Sequence, residues 1–409
     1  MSFDVTSLGI ALRNLLRQRT RTLTSLCAIS VGVACLIVAG GFVKDILFQL
    51  GEATIHSQTG HLQIATAAHW KTHSPNGSAL TINSPQKIKD LVLANSAVDQ
   101  VAARINFVGM LNNGKRDLGI IGEGVEPDQE AAIGSFMRYT EGRPLRSTDH
   151  EGIAIGYGIA KNLDLKVGDY VTLVASLAEG ALNTAEFRIV GIFQSFSKEF
   201  DARAIRIPLP AANDLLDKNG AHLLIVTLRD TQDTPEFLKG LKPRLADLGV
   251  EARDWKELSD FYEKTVQLYD AQFGVLRLII FCMVLLSVAN SINMSLYERT
   301  REFGTVLALG THPNAVFWAI LTESILLGLI GSIFGTILAL TISWGISLHG
   351  IPMPPPPNAN IGYLAKIRPT PELLVFSALV GLASTICAAI IPARRASQLQ
   401  IVDALRHGV

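Results

Sequence analysis

Long apolar runs alternate with one long polar stretch in this chain, and that alternation sets its layout. Leu23 to Val43 carries no charged residue. At 1.5 Å per helical residue such a run spans roughly 30 Å, the hydrocarbon thickness of a bilayer. A second run covers Leu278–Tyr297, with its helix expected to start near Tyr269. A third covers Ala315–Leu348, interrupted only by Glu323, and a fourth covers Leu373–Ile391. The third is long enough to raise the alternative of a helical hairpin within it. Arginine placement decides the count, because short Lys/Arg-rich loops stay on the cytoplasmic side. Clusters lie before the first run (Arg13, Arg17, Arg19, Arg21), after the second (Arg299, Arg301) and after the fourth (Arg394, Arg395, Arg406). Four crossings place all three on one side; five would place the last outside. Four helices are therefore expected, the third tilted or extended beyond the bilayer.

The first run exceeds the ~7–15 apolar residues of a signal peptide. Cleavage before Cys35 is disfavoured because Gly32 stands where an apolar residue is normal. The segment reads as a retained anchor.

The polar stretch between the first two runs, roughly Lys44 to Leu268, has the pattern of a folded domain. His61–Ala65, Ile120–Val125, Tyr170–Ala175, Glu186–Phe193, Ala204–Leu209 and Leu223–Leu228 read as strands from β-branched content bounded by turn residues. Ser84–Leu93, Pro210–Asp217 and Pro235–Leu248 read as helices opened by Ser, Pro or Thr. The mixture predicts an α+β domain of two lobes, with the boundary near residue 130 or 220. The positive-inside rule makes it extracytoplasmic. Pro352–Pro357 reads as a stiff outer loop that cannot donate backbone hydrogen bonds; a ligand-docking motif is the alternative.

Composition agrees: 48% of residues are hydrophobic and only 18% charged, against about 25% charged in soluble proteins. Net charge is zero, so no global field recommends nucleic acid as a partner. All four cysteines (Cys27, Cys35, Cys282, Cys387) fall in apolar runs, which predicts buried, inert thiols.

Two motifs imitate chemistry. Gly109 through Gly114-Lys115-Arg116 approaches a phosphate loop, but arginine replaces the hydroxyl residue that binds Mg²⁺. Asn112-Asn113-Gly114 is better read as a hairpin turn. His69 and His73 are spaced as helix-face metal ligands, yet no acidic partner follows and Pro75 and Gly77 predict a loop. No metal site and no catalytic arrangement of serine, histidine and acid, or of paired carboxylates, stands out.

The strongest candidate is the short charged stretch just inside the second helix. Val306, Leu307 and Leu309 are placed to pack on a partner, while Glu298, Arg299, Arg301 and Glu302 face water or one another. The alternative is an interfacial helix that only anchors the bilayer. Glu323 lies about two turns inside the third helix. A carboxylate in hydrocarbon costs a few kcal/mol unless paired or protonated; either it titrates in an ion-linked role or it pairs with a nearby arginine. Gly331 and Gly335 form a small-xxx-small surface, extended by Gly328, for close helix approach within the subunit or across a dimer. Ser287, Asn290 and Asn293 are candidates for interhelical hydrogen bonds or for a polar groove at a dimer seam.

Taken in order, these residues resemble the FtsX-like permease family of ABC transporters, which includes MacB and LolC/LolE types. The resemblance rests on Ala11-Leu12-Arg13-Asn14-Leu15 with the arginines after it, Gly60-His61-Leu62-Gln63-Ile64, and Gly152–Gly156 through Lys166–Asp169 to Phe187–Ile192. It continues in Glu298-Arg299-Thr300-Arg301-Glu302-Phe303-Gly304 with Ala308-Leu309-Gly310, and in Glu323-Ser324 with the glycines after it. Pro392–Ala396 with Asp403–Arg406 completes it. The match to the LolE-type Gly60–Ile64 motif favours the lipoprotein-releasing branch.

The resemblance implies a bacterial inner-membrane, multi-pass permease with both termini cytoplasmic and the large domain periplasmic. Its segments would be a cytoplasmic amphipathic helix (1–22), transmembrane helix 1 (23–46), the extracytoplasmic α+β domain (47–268) and transmembrane helix 2 (269–297). A coupling helix loop (298–314), transmembrane helix 3 (315–348), an outer proline-rich loop (349–371), transmembrane helix 4 (372–392) and a cytoplasmic tail (393–409) would follow. It further implies that Glu298, Arg299, Arg301, Glu302, Gly304, Leu307, Leu309 and Gly310 meet a dimeric cytoplasmic ABC ATPase, which would bind ATP and Mg; this chain would hold no cofactor. A second permease copy or paralogue, a lipid or lipoprotein substrate and a periplasmic acceptor or adaptor are the other implied partners. Transport by mechanotransmission is the expected function; an FtsX-like scaffold regulating an extracytoplasmic hydrolase is the alternative.

Overall fold

A computed structural model describes residues 13, 17, 19–71, 81–82, 84–134, 136–177, 180–355, 360 and 362–398. The expected N-terminal amphipathic helix, His73 and the Asp403–Arg406 motif lie wholly or largely outside these residues. Contacts divide the chain into two compact units. One is Met1–Leu47, Val266–Pro352 and Leu364–Val409; the other is Phe48–Thr265 with Met353–Tyr363.

Among the described residues, four helices are long and apolar enough to cross a membrane. They are α1 (Arg19–Thr54), α2 (Asp260–Ala308), α3 (Pro313–His349) and α4 (Pro371–Ser397). The third run is one helix of 37 residues, not a hairpin. Helix α2 begins nine positions before the expected Tyr269 and continues past the apolar run, for 49 residues in all. Between α3 and α4, Ile351–Met353 and Tyr363–Ala365 pair as a short hairpin.

In the helical unit, Ile29, Val33, Leu36, Ile37, Val284, Val288, Leu327 and Ala388 form the shared core. At one end, Asp45 is buried on α1, accepts from the Lys366 backbone N–H at 2.8 Å and pairs with Arg368 at 2.7 Å. Lys44 pairs there with Glu372 at 3.6 Å. The four cysteines do not sit in this core: all are on exposed helix faces, so the expectation of buried thiols fails within the chain. Cysteine here follows the apolar run, not the packed stripe.

The other unit is built on strands β1 (Leu62–Thr66), β2 (Val98–Asn112), β3 (Asp117–Val125), β4 (Arg138–Gly142), β5 (Gly152–Gly156), β6 (Tyr170–Ser176), β7 (Leu182–Gln194), β8 (Ala204–Pro208), β9 (Leu223–Leu228) and β10 (Val250–Asp254). Strands run β10-β1-β9-β2, all antiparallel, at one end of the sheet. Helices Pro85–Leu93 and Thr234–Ala246 connect β1 to β2 and β9 to β10, giving a split βαβ arrangement. Beyond it, β2, β3, β8, β5, β7 and β6 pair in sequence, and β6 returns to β2. That closes a small barrel, which removes free strand edges.

Two apolar cores follow. One holds Ile105, Phe107, Leu173 and Ile205 inside the barrel, and the other holds Leu62, Ile64, Leu224 and Leu245 under the two helices. The two cores divide the chain between Leu216 and Ala221, at the later of the two alternatives for the boundary, and a second division, not foreseen near 130, is needed as well. It falls inside β2 at Arg104, because one continuous strand serves both lobes.

Candidate coupling site

The stretch Glu298–Ala308 is not a separate interfacial helix. It is the last three turns of α2, stopped by Gly310 at φ 91°, a left-handed conformation that costs glycine little. Helix α3 then opens at Pro313, where the His312 ring accepts from the Asn314 N–H at 3.2 Å. The connection is a tight helical hairpin.

Helical periodicity sorts the candidates onto two faces. Phe303, Gly304 and Leu307 are buried, the two large side chains against Val316, Ile320, Ala393 and Ala396. Leu307 is therefore an internal packing residue, contrary to its expected place on a partner. Arg301, Glu302, Thr305, Val306 and Leu309 face outward, and Leu309 is 83% exposed.

Charge ties this end together. Arg299 donates to both oxygens of Glu323, at 3.0 and 3.2 Å, and to Glu302 at 3.2 Å, with its guanidinium 4.9 Å over the Phe303 ring. Arg21 on α1 pairs with Glu298, and Arg17 reaches Glu302 at 3.3 Å. Of the two readings of Glu323, the structure has the ion pair. The partner comes from the charged stretch itself. Arg21, Ser25, Ser291, Ser295, Arg299 and Glu323 form the polar side of a small pocket where α1, α2 and α3 meet.

The glycine surface of α3 packs inside the subunit. A Cβ on Gly331 would meet Ile29 at 2.8 Å, and one on Gly335 would meet the Ser30 carbonyl oxygen at 2.7 Å. Gly328 faces Thr385. These glycines therefore serve contacts with α1 and α4. The polar candidates on α2 make no interhelical side-chain bond among the described residues, which leaves the dimer-seam expectation as it stood. Asn290 and Ser287 are exposed, Asn293 is half-buried, and none makes a side-chain hydrogen bond among the described residues. The interhelical bond comes from Ser291, to Ser25 at 2.6 Å.

The phosphate-loop imitation is ordinary strand and turn. Gly109–Asn112 is strand, and Asn113 closes the turn to β3 by accepting from the Lys115 and Arg116 N–H groups at 3.0 and 2.8 Å. His69 sits in the short helix Ala67–Lys71, and no group of three metal-ligating side chains occurs among the described residues.

Sequence reasoning missed the polar interior of the sheet unit. At the lobe junction Arg104 donates to Glu123 at 2.9 Å, to Glu130 at 2.5 Å and to the Gln58 carbonyl at 3.0 Å. Arg206 reaches Glu123 at 2.8 Å and Glu130 at 3.1 Å. Burial alone would raise the Glu130 carboxyl, but the two guanidinium groups hold it below its usual range. Nearby, His61 accepts from the Leu228 N–H through Nδ1 at 3.1 Å, so its Nε2 proton points to Thr231 Oγ1 at 3.0 Å. Burial, then the neighbouring His56, pushes His61 down to about 4. Asp201 accepts from the Ser195 N–H at 2.9 Å and from the Asn360 amide, and burial pushes it up to about 6. The sequence signal for the first cluster was available: charged residues at inward positions of otherwise apolar strands.

The family whose sequence model is described as MacB-like periplasmic core domain matches residues 22–244, and one described as FtsX-like permease C-terminal matches residues 274–401. The chain is 24% identical to the lipoprotein-releasing system transmembrane protein LolC of Neisseria meningitidis, over 94% of each chain. It is 23% identical to the lipoprotein-releasing system transmembrane protein LolE of Haemophilus influenzae, over 93% of each. It is 24% identical to the macrolide export ATP-binding/permease protein MacB of Chlorobium luteolum, covering 97% of this chain and 59% of that protein.

Proposed function

Because the chain belongs to the FtsX-like ABC-transporter permeases that carry a MacB-like periplasmic core domain, we propose that it works with a separate cytoplasmic nucleotidase to lift an amphiphile from the outer leaflet of the inner membrane. The cargo is a lipid, a lipoprotein or a molecule of similar chemistry. The chain would work beside a second copy or a paralogue and hand its cargo to a periplasmic acceptor. The basic ends and the α2–α3 turn lie on the ATP side, and the sheet unit faces the periplasm. ATP and Mg are bound by the partner.

One observation carries this reading: the α2–α3 hairpin has a fixed inner face and an unused outer one. Phe303 and Leu307 are buried and Arg299 is paired, while Arg301, Val306 and Leu309 meet nothing that covers them. An exposed leucine beside charge suits a docking knob seated in another protein. Helix α2 is continuous over 49 residues, about 73 Å at 1.5 Å per residue. A push at its cytoplasmic end would be carried along the helix axis, because no proline or break absorbs it.

The test is co-purification of the nucleotidase with the full chain. Arg301→Glu combined with Leu309→Asp should lower the recovered nucleotidase at least about tenfold, the loss of one hot-spot contact, with membrane content unchanged. Unchanged recovery would overturn the docking role. Cargo-stimulated ATPase would support transport. Activation of an extracytoplasmic hydrolase without it would favour the scaffold alternative.

A further inference from the structure

On the reading of α2 as a membrane-spanning helix, we propose that Arg277 forms a binding site for the phosphate of a lipid headgroup in the outer leaflet. The side chain stands at the outer end of the apolar run of α2. Its guanidinium lies 4.6 Å from the Phe273 ring centroid and 4.9 Å from that of Phe376 on α4. Two rings, one from its own helix and one from a neighbour, hold the charge in place. Phe273 is itself fixed, since a Cβ on Gly40 of α1 would meet it at 2.9 Å.

Depth identifies the ligand. From Arg277 to Glu298 there are roughly six helical turns, about 32 Å at 1.5 Å per residue, and no charged residue lies between them. That distance is the hydrocarbon core plus its edges. With Arg299 and Glu298 at the inner boundary, Arg277 falls at the outer one, where lipid phosphates sit.

Its charge is also unanswered. Two other cations of this unit at that end are matched by acids, Lys44 by Glu372 and Arg368 by Asp45, and Lys366 is exposed to water. Arg277 makes no ion pair among the described residues, and its Nε is buried without a hydrogen-bond partner. Aromatic faces stabilise a guanidinium but leave its N–H donors unsatisfied. A phosphate supplies the missing acceptors in the bidentate geometry that arginine favours. The flanking Val275, Leu278 and Ile279 are exposed apolar side chains, so acyl chains can lie along α2 below the bound headgroup. Recognition is thus of an anionic phosphate joined to an apolar tail.

The experiment titrates the full chain, purified in a neutral detergent, with phosphatidylglycerol, and counts bound lipid by native mass spectrometry. Parallel titrations use phosphate-free diglucosyl-diacylglycerol and inorganic phosphate. The expected result is saturable phosphatidylglycerol binding, weakened about tenfold by Arg277→Gln, the scale of one charge-assisted contact. Arg277→Lys should restore part of it, and Phe376→Leu should weaken it with the charge intact. Diglucosyl-diacylglycerol should bind equally to all four proteins. Displacement of the lipid by equimolar inorganic phosphate would assign the site to a free anion and overturn the lipid. Equal phosphatidylglycerol binding by wild type and Arg277→Gln would overturn the site altogether. Failure of the transport reading would appear elsewhere, as ATPase activity that no amphiphile stimulates in either protein.

Discussion

Arg299 on α2 donates to both carboxylate oxygens of Glu323 on α3, at 3.0 and 3.2 Å. Both side chains are more than four-fifths covered. The pair staples the two arms of the helical hairpin whose outer face we assign to the nucleotidase.

Arg299→Ala should remove the guanidinium that the half-buried Glu323 carboxylate pairs with at 3.0 Å. The expected cost is about 2–3 kcal/mol, seen as a lower melting temperature in detergent. The apolar double substitution Arg299→Met with Glu323→Met should recover most of it. Glu323→Gln alone should keep transport. Loss of cargo-stimulated ATPase while the fold survives would show that the negative charge itself is required.

Glycine replacement separates tight helix contact from spare flexibility. Gly335→Val must push against the Ser30 carbonyl and Val33, costing about 1–3 kcal/mol by overpacking. Gly345, on the same helix, has nothing within 4 Å of a built Cβ, so Gly345→Ala should be neutral or slightly stabilising. Thermal unfolding of both variants in the same detergent checks the contrast. Similar losses would show that α3 is not fixed through this surface.

The sheet unit should be acid-sensitive. His61 sits at about 4, below its ordinary 6.5. The unfolded chain therefore takes up the proton first. The stabilisation is whole above pH 6.5 and disappears as pH falls to about 4, about 3 kcal/mol in scale. His222, also buried and also at about 4, adds to the same slope. Asp201 opposes it: raised to about 6 from 3.8, it favours the fold below about pH 4 and loses that contribution as pH rises through 6. Hydrogen exchange on β1 and β9 between pH 7 and 4 should show falling protection, flattened by His61→Gln. An unchanged slope in that variant would remove His61 from the account.

Much of the layout was legible because bilayer thickness and charge sidedness are strong constraints on sequence. The four long helices, six of the strands and the three longer helices of the sheet unit follow from apolar runs, β-branched content and helix-opening residues. The Asn113–Gly114 turn follows from its chemistry. The longest strand, Val98–Asn112, escaped because Asp99, Arg104 and Asn106 interrupt its alternation. The partners of Arg104, namely Gln58, Glu123 and Glu130, all lie remote from it in sequence. The split of the hairpin into a buried and an exposed face was also out of reach. Which side Leu307 takes depends on where α3 and α4 lie, and sequence spacing alone offers Val306, Leu307 and Leu309 equally.

Strand β2 belongs to both halves of the sheet unit: Val98–Arg104 pairs with β9, and Arg104–Asn112 with β3. A protein that grips by folding two jaws together needs a loose joint between them. Here the joint is an unbroken strand, bolted at its midpoint by Arg104, Glu123, Glu130 and Arg206. So joined, the two lobes make one stiff plate, and a strand bolted at its middle does not let them shut on each other like a mouth.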